Sequence, residues 1–163
     1  MVWIECLRLN SALPPGSHRP RKAIGEHVPS SRTTLRSASC SCGQLSLTVS
    51  EEPVRVSICH CLACQRRTGS VFGAQARFPK HAVQITGASS AYERVGDEGS
   101  RATFHFCPRC GATVHYSIEG YEEHVAVPVG AFADPSFAAP SFSVYEERMH
   151  SWVGLPSTIE HLG

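Results

Sequence analysis

The sequence predicts a mainly β fold, and two observations carry that prediction. First, the 163-residue chain contains 13 glycines and 11 prolines, which favour frequent turns between short elements. Second, apolar and polar residues alternate with a period of two in several short segments, as they do when one face of a strand is buried. The length suits one domain, or one domain with an appendage.

The predicted strands follow one another between turn residues and cysteines. Residues 44–50 alternate before a turn at Pro53, and alternation over residues 54–58 leads directly to Cys59. Pro79 ends a later strand, because proline lacks the backbone N–H that a strand interior needs. The full set of predicted strands is 44–50, 54–58, 71–78, 83–87, 91–95, 101–106, 113–118 and 124–129.

Helical structure is predicted only as one short turn over residues 62–67. Beyond residue 134 the chain is punctuated by prolines, and we expect Trp152 and Val153 to form its last apolar anchor. The core candidates among the aromatic residues are Phe72, Phe78, Phe104 and Phe106.

Composition divides the chain into three segments. Residues 1–36 are rich in prolines and small polar residues and carry six basic residues against two acidic ones, so we expect a disordered basic extension. A zinc domain is expected over residues 37–155, followed by a C-terminal tail over 156–163. Residues 37–163 carry nine basic and twelve acidic residues. An acidic body opposes phosphate contacts, so we expect no nucleic-acid partner.

The location expected from the sequence is the cytoplasm. No apolar stretch approaches the roughly 18 residues that a membrane-spanning helix needs, so no membrane partner is expected. Residues 1–9 are too short and too interrupted by Glu5 and Arg8 for the apolar core of a signal peptide. Eight cysteines in a cytoplasmic chain indicate metal binding or catalysis rather than disulfides.

Seven of the eight cysteines form three groups, and Cys6 stands alone as an expected idle thiol. The strongest motif is Cys107-Pro108-Arg109-Cys110-Gly111, a zinc knuckle in which a tight turn lets two thiolates reach one ion. Because a structural zinc takes four ligands, another pair must complete this site. The other groups are Cys40-x-Cys42 and Cys59-His60-Cys61-x-x-Cys64.

Two pairings remain open at this point. If Cys40 and Cys42 complete the knuckle, the middle group keeps three cysteines as a unit, and its zinc would have a vacant position. If Cys61 and Cys64 complete it, a zinc-ribbon-like site results, and Cys40, Cys42 and Cys59 are left outside that site. Spacing favours the first arrangement. A vacant position distinguishes catalytic from structural zinc, and it would accept water, a thiolate or a carbonyl oxygen.

The chain resembles the glutathione-dependent formaldehyde-activating enzymes, a family also described as Gfa-like or centromere-protein-V-like, with the Mss4-like fold. The motifs that carry the resemblance are Cys40-x-Cys42-Gly43, Cys59-His60-Cys61-x-x-Cys64-Gln65-Arg66-x-Thr68-Gly69-Ser70, Phe106-Cys107-x-x-Cys110-Gly111 and the later segment Val129-Gly130-Ala131-Phe132 with Asp134-Pro135. It covers about residues 37–154 and implies packed, mostly antiparallel β-sheets held by two zinc ions.

The resemblance also implies where each zinc binds and what the protein does. The structural zinc would be held by Cys40, Cys42, Cys107 and Cys110, and the reactive, catalytic zinc by Cys59, Cys61 and Cys64. The implied reaction is that of a carbon–sulfur lyase in reverse, joining glutathione or a similar thiol to formaldehyde or another small aldehyde. The alternative is a zinc-stabilised binding module without catalysis.

Binding of a glutathione-like thiol needs cationic and amide donors near the reactive group. Gln65, Arg66 and Arg67 directly follow the middle cysteines, and residues 68–70 could offer backbone N–H groups to a carboxylate. The candidates for binding the thiol are Gln65, Arg66, Thr68, Gly69 and Ser70. His60 alternates with the cysteines on both sides, so we expect its side chain to point away from them and not to bind metal.

Overall fold

The computed structural model describes residues 35–96 and 99–162, so the predicted extension over residues 1–34 and the lone Cys6 lie outside the described residues. Its strands are β1 (Arg36–Ser39), β2 (Ser46–Val49), β3 (Arg55–Cys59), β4 (Gly73–Pro79), β5 (Val83–Thr86), β6 (Ser90–Val95), β7 (Arg101–Phe106), β8 (Thr113–Ile118), β9 (His124–Pro128), β10 (Phe142–Val144) and β11 (Glu160–Leu162). The one α-helix of the described residues is α1 (Leu62–Thr68), and single turns of 3-10 helix cover Lys80–Ala82, Val129–Phe132 and Glu146–Arg148.

The strands form two sheets, which confirms the predicted mainly β class. A three-stranded antiparallel sheet has the order β1-β2-β5. An eight-stranded sheet has the order β11-β10-β3-β4-β9-β8-β7-β6, and all its pairs are antiparallel except β3–β10 and β10–β11. Among the described residues no helix is both long and apolar enough to cross a membrane.

The main core lies between the two sheets. Leu47 and Val49 alternate with polar residues along β2 and are almost fully buried, so they present one face of the small sheet to the interior. Phe78 and Val127 belong to neighbouring strands of the large sheet and pack in the same cluster. Removing the ring of a fully buried phenylalanine such as Phe78 typically costs about 3–5 kcal/mol.

The alternating pattern located the central strands well, but it missed three short ones. Arg36, placed in the expected extension, is the first residue of β1 and pairs with Glu52 at 2.8 Å. The strands β10 and β11 were also missed. The expected anchor at Trp152 is wrong, because 71% of its surface is exposed. Ile159, at 5% exposure, is the buried apolar residue near the end of the chain.

Candidate metal centres and the adjoining cavity

Four cysteines meet at the end of the small sheet. Cys40 and Cys42 lie in the turn after β1, and Cys107 and Cys110 lie in the turn after β7. Each turn has a glycine with positive φ directly after its second cysteine, 74° at Gly43 and 77° at Gly111, a conformation that side chains disfavour. The four sulfur atoms all lie within 4.8 Å of one another, so this group could hold a metal ion.

The geometry of these four cysteines fits a tetrahedral ion. Four sulfurs placed about 2.3 Å from one ion would lie about 3.8 Å apart. Cys42 Sγ lies 3.6 Å from Cys40 Sγ and 3.6 Å from Cys107 Sγ. Backbone amides support the sulfurs as acceptors, because Leu45 N–H donates to Cys40 Sγ at 3.2 Å and Arg109 N–H donates to Cys107 Sγ at 3.4 Å.

The electrostatics of the group also call for a cation. Burial raises the pKa of Cys40, but hydrogen bonds from Leu45 N–H and from neighbouring thiols outweigh it and bring that pKa down to about 6. The pKa of Cys42 rises to about 11, because burial and the adjoining sulfurs of Cys40 and Cys107 overcome a favourable bond from the Gln44 backbone. Ionisation of one thiol thus opposes ionisation of its neighbour, and a bound metal ion would stabilise both thiolates.

A second group contains Cys59, Cys61 and Cys64, whose sulfur atoms also lie within 4.8 Å of one another. Cys59 is the last residue of β3, and Cys61 caps the start of α1, where its Sγ accepts a hydrogen bond from Cys64 N–H at 3.4 Å. Hydrogen bonds from Cys59 and Cys64 lower the pKa of Cys61 to about 2. The pKa of Cys64 rises to about 11, because Cys61 and burial outweigh the lowering effect of Cys59.

The structure therefore groups the cysteines as four and three. Among the described residues, Cys40 and Cys42 join the knuckle, and the zinc-ribbon alternative with Cys61 and Cys64 is not formed. His60 is fully buried, packs edge-on against Phe72 with ring centroids 5.9 Å apart, and does not belong to either group. Burial lowers the pKa of His60, although Glu146 opposes this.

A cavity of about 830 Å³ lies beside the three-cysteine group. Cys61 and Cys64 are part of its wall, together with the apolar residues Leu62 and Ala63 of α1. Much of the remaining lining consists of aromatic side chains from β6 and β7 and of four arginines, and none of the described residues in it is acidic. These aromatic residues and arginines are Tyr92, Phe104, Phe106, Arg66, Arg67, Arg94 and Arg148. The cavity thus combines thiols, aromatic surface and positive charge.

The five predicted thiol-binding residues differ in whether they line the cavity or form hydrogen bonds within the protein. Arg66 lines the cavity. Gln65 holds the scaffold instead, because its amide nitrogen donates to the carbonyls of His60 at 2.7 Å and Arg148 at 3.1 Å.

The segment over residues 68–70 ends helix α1, and its polar groups bond one another. Gly69 N–H donates to Gln65 O at 2.9 Å, and Ser70 N–H donates to Thr68 Oγ1 at 3.2 Å. Thr68 Oγ1 in turn donates to Cys64 O at 2.9 Å. These N–H groups are therefore already used within the helix end, which differs from the expectation that they face a carboxylate.

Several cavity residues were not selected as site residues from the sequence. Arg94 comes from β6 and Phe104 from β7, and both reach the cavity through strand pairing distant in sequence from the cysteines. Arg148 arrives with the segment after β10, which pairs with β3 beside Cys59. No local spacing in the sequence predicts that these residues line the cavity. Arg67 was noted with Gln65 and Arg66 as a donor near the cysteines, but it was not among the five candidates for binding the thiol.

Comparison with known proteins identifies one family. A model of the family described as glutathione-dependent formaldehyde-activating enzyme matches residues 35–148, a range that contains both cysteine groups and every residue lining the cavity. A search of curated proteins gives no match. The crystal structure of a Rhodobacter sphaeroides protein is similar with a TM-score of 0.47 and 24% sequence identity, over 58% of this chain and 85% of that chain.

Proposed function

Because the chain belongs to the family of glutathione-dependent formaldehyde-activating enzymes, we propose that it condenses a thiol such as glutathione with formaldehyde or another small aldehyde. In this proposal it is an enzyme of the carbon–sulfur lyase type, and its reactive centre is the group of Cys59, Cys61 and Cys64. The observation that carries the proposal is that the group with only three sulfurs is the one that borders the cavity. Three protein ligands are typical of catalytic sites and four of structural ones.

We propose zinc as the ion in both groups, since sites made only of thiolates favour soft or borderline ions such as zinc. Cys40, Cys42, Cys107 and Cys110 would hold a structural ion, and the three remaining cysteines a reactive one. When bound at three cysteines, zinc would supply a Lewis acid that lowers the pKa of a substrate thiol.

The chain's own residues would position the reactants and their charge. Condensation forms one bond between the thiol sulfur and the aldehyde carbon, while the carbonyl electron pair moves to the oxygen, which ends protonated by the proton that the thiol gave up. The reaction therefore needs no oxidant or reductant. Cavity walls that hold both reactants contribute proximity, and Arg66 and its neighbouring arginines favour the negative charge that passes from sulfur to oxygen.

The test compares the rate of condensation with the spontaneous rate. Wild-type protein loaded with zinc is mixed with formaldehyde and glutathione, and the consumption of free thiol is followed over time. We expect an increase above the spontaneous rate that grows in proportion to protein concentration. No increase with wild-type protein would remove the proposed reaction and leave the binding module as the better interpretation.

The matched variant is Cys64→Ser. We expect bound zinc to fall from two to about one per chain, with an unchanged circular dichroism spectrum and no rate increase, because three ligands become two while the four-cysteine group is intact. Global unfolding of this variant would show that the three-cysteine group is structural.

The same proposal includes a cytoplasmic location. All seven cysteines in the described residues are free thiols. Both proposed zinc sites need thiolates, and a reducing compartment keeps cysteines in that state.

A further inference from the structure

We propose that Arg67 determines which thiol the cavity accepts, by binding a carboxylate that lies close to the thiol sulfur of the substrate. The inference rests on the proposed function, and it adds the chemical class of the thiol and the residue that recognises it. Four features of the structure support it: the position of the Arg67 guanidinium, its orientation against two aromatic rings, its lack of a paired carboxylate among the described residues, and the charge of the cavity.

The guanidinium of Arg67 lies next to the reactive cysteines. Arg67 belongs to the last turn of α1 and lines the cavity. Its Nη2 atom and Cys64 Sγ lie 3.2 Å and 3.6 Å from the same point, the position that a Cβ would occupy at Gly73. The absence of a side chain at Gly73 therefore leaves room for the guanidinium beside this sulfur.

Two aromatic rings fix the orientation of the guanidinium. Its central carbon lies 5.1 Å from the centre of the Phe104 ring and 5.3 Å from that of Tyr116. The two rings pack on each other with centroids 4.9 Å apart, so they form a continuous aromatic surface under the arginine. A stacked guanidinium keeps its planar set of donors in place, which reduces the entropy lost when an anion binds.

No carboxylate of the described residues pairs with Arg67, although its charge opposes the rise in the pKa of the neighbouring Cys64 thiol. Within residues 35–96 and 99–162 no salt bridge joins it to a carboxylate, and its buried Nε has no hydrogen-bond partner. By contrast, Arg36, Arg101 and Arg148 each pair with a glutamate, at 2.8, 2.9 and 3.3 Å. A partly buried cation with unused donors is a strong binding site for an incoming anion.

The cavity around Arg67 favours an anion and disfavours a cation. Among the described residues its lining includes four arginines, of which Arg148 pairs with Glu147, and no aspartate or glutamate. A carboxylate can accept two parallel hydrogen bonds from a guanidinium, and this geometry distinguishes it from an ester or an amide. In glutathione the glycyl carboxylate is nearer to the sulfur along the chain than the γ-glutamyl one. The proximity of Arg67 to Cys64 therefore assigns the glycyl carboxylate to Arg67.

The test measures binding of S-methylglutathione and of its glycyl ethyl ester by isothermal titration calorimetry, using zinc-loaded protein. The methylated sulfur cannot ionise, so the measurement reports recognition of the rest of the molecule. We expect Arg67→Gln to weaken binding of S-methylglutathione about 10- to 100-fold, as loss of a hydrogen-bonded charge pair does. The ester should bind the wild type weakly and lose no more than about twofold in Arg67→Gln.

Two further variants complete the design. Arg101→Gln is the matched control, because this exposed arginine does not line the cavity, and its binding should equal that of the wild type. Arg67→Lys keeps the charge but not the paired donors, and it should lose several-fold in affinity for the acid only. If Arg67→Gln does not fold, Arg67→Lys replaces it in the comparison of acid and ester.

The outcomes separate this inference from the proposed function. Equal affinity of wild-type and Arg67 variants for S-methylglutathione, or equal losses for acid and ester, would overturn the assignment of Arg67 even if condensation is accelerated. The same holds if the wild type accelerates condensation but does not bind S-methylglutathione. A wild type that accelerates no condensation would overturn the proposed function, and the inference with it.

Discussion

Gly87 controls how closely two backbone segments approach beside the four-cysteine group, and replacing it by alanine should loosen that group. A Cβ at Gly87 would lie 1.9 Å from the backbone oxygen of Gln44, whereas ordinary contact begins at 3.4 Å. The two backbones would therefore have to separate by about 1.5 Å. The side chain of Gln44 lies 3.3 Å from Cys107 Sγ, so this movement would reach the metal ligands.

The expected loss of stability has two parts. The φ of Gly87 is 96°, and an alanine held in the left-handed region costs about 1–2 kcal/mol. The overpacking against Gln44 adds about 1–3 kcal/mol. A total of about 3 kcal/mol should lower the midpoint of thermal unfolding by roughly 10 °C for a domain of this size.

The assay is thermal unfolding followed by circular dichroism, with bound zinc measured in parallel. Gly120→Ala is the matched control, because Gly120 also has a positive φ, 83°, but no atom lies within 4 Å of its added Cβ. It should lose only the backbone part, about 1–2 kcal/mol. Equal losses in the two variants would refute the role of the close approach to Gln44.

Two further predictions concern the four-cysteine group and the strand that follows it. Cys107→Ser should leave three sulfurs where a structural ion needs four, so the variant should bind about one zinc fewer per chain and unfold at room temperature; a folded, soluble variant would contradict this. His115 is buried and stacks on His105, and burial lowers its pKa from 6.5 to about 4. Between about pH 4 and pH 6.5 this histidine is protonated in the unfolded chain but neutral in the folded one. Its contribution to the free energy of unfolding is therefore complete above pH 6.5 and declines as the pH falls. Wild-type protein should therefore lose about 2 kcal/mol more than His115→Gln between pH 7.5 and pH 5, measured by urea unfolding, and parallel losses would refute the assignment.

The sequence predicted those parts of the site that are local in the chain. Cys107 and Cys110 lie in one turn, and Cys61 and Cys64 lie at the start of one helix, so their spacing alone brings their sulfurs together. Alternation also located strands such as β2, because one face of β2 is buried in the core while the other is less so. These signals depend on neighbouring residues only.

The sequence could not predict what depends on distant pairing. The three-residue strand β10 is too short for a periodic signal, yet its parallel pairing with β3 brings Arg148 to the cavity. Trp152 was expected to be an apolar anchor, but nothing in the chain's local pattern specifies which apolar residue is buried in the core. The use of the N–H groups of Gly69 and Ser70 within the helix end likewise depends on the three-dimensional course of the chain.

The separation of ligands along the chain has a consequence for biosynthesis. Once residue 64 of a growing chain has left the ribosome, all three thiols of the smaller group are outside it. At that moment only two of the four thiols of the larger group have emerged. The larger group is completed only when Cys110 emerges, after β3, β4 and β7 have been made. Nascent chains thus carry five of these seven thiols for a period in which cysteines from both groups could bind one metal ion. The native division into four and three cysteines is possible only after the turn with Cys107 and Cys110 has been made.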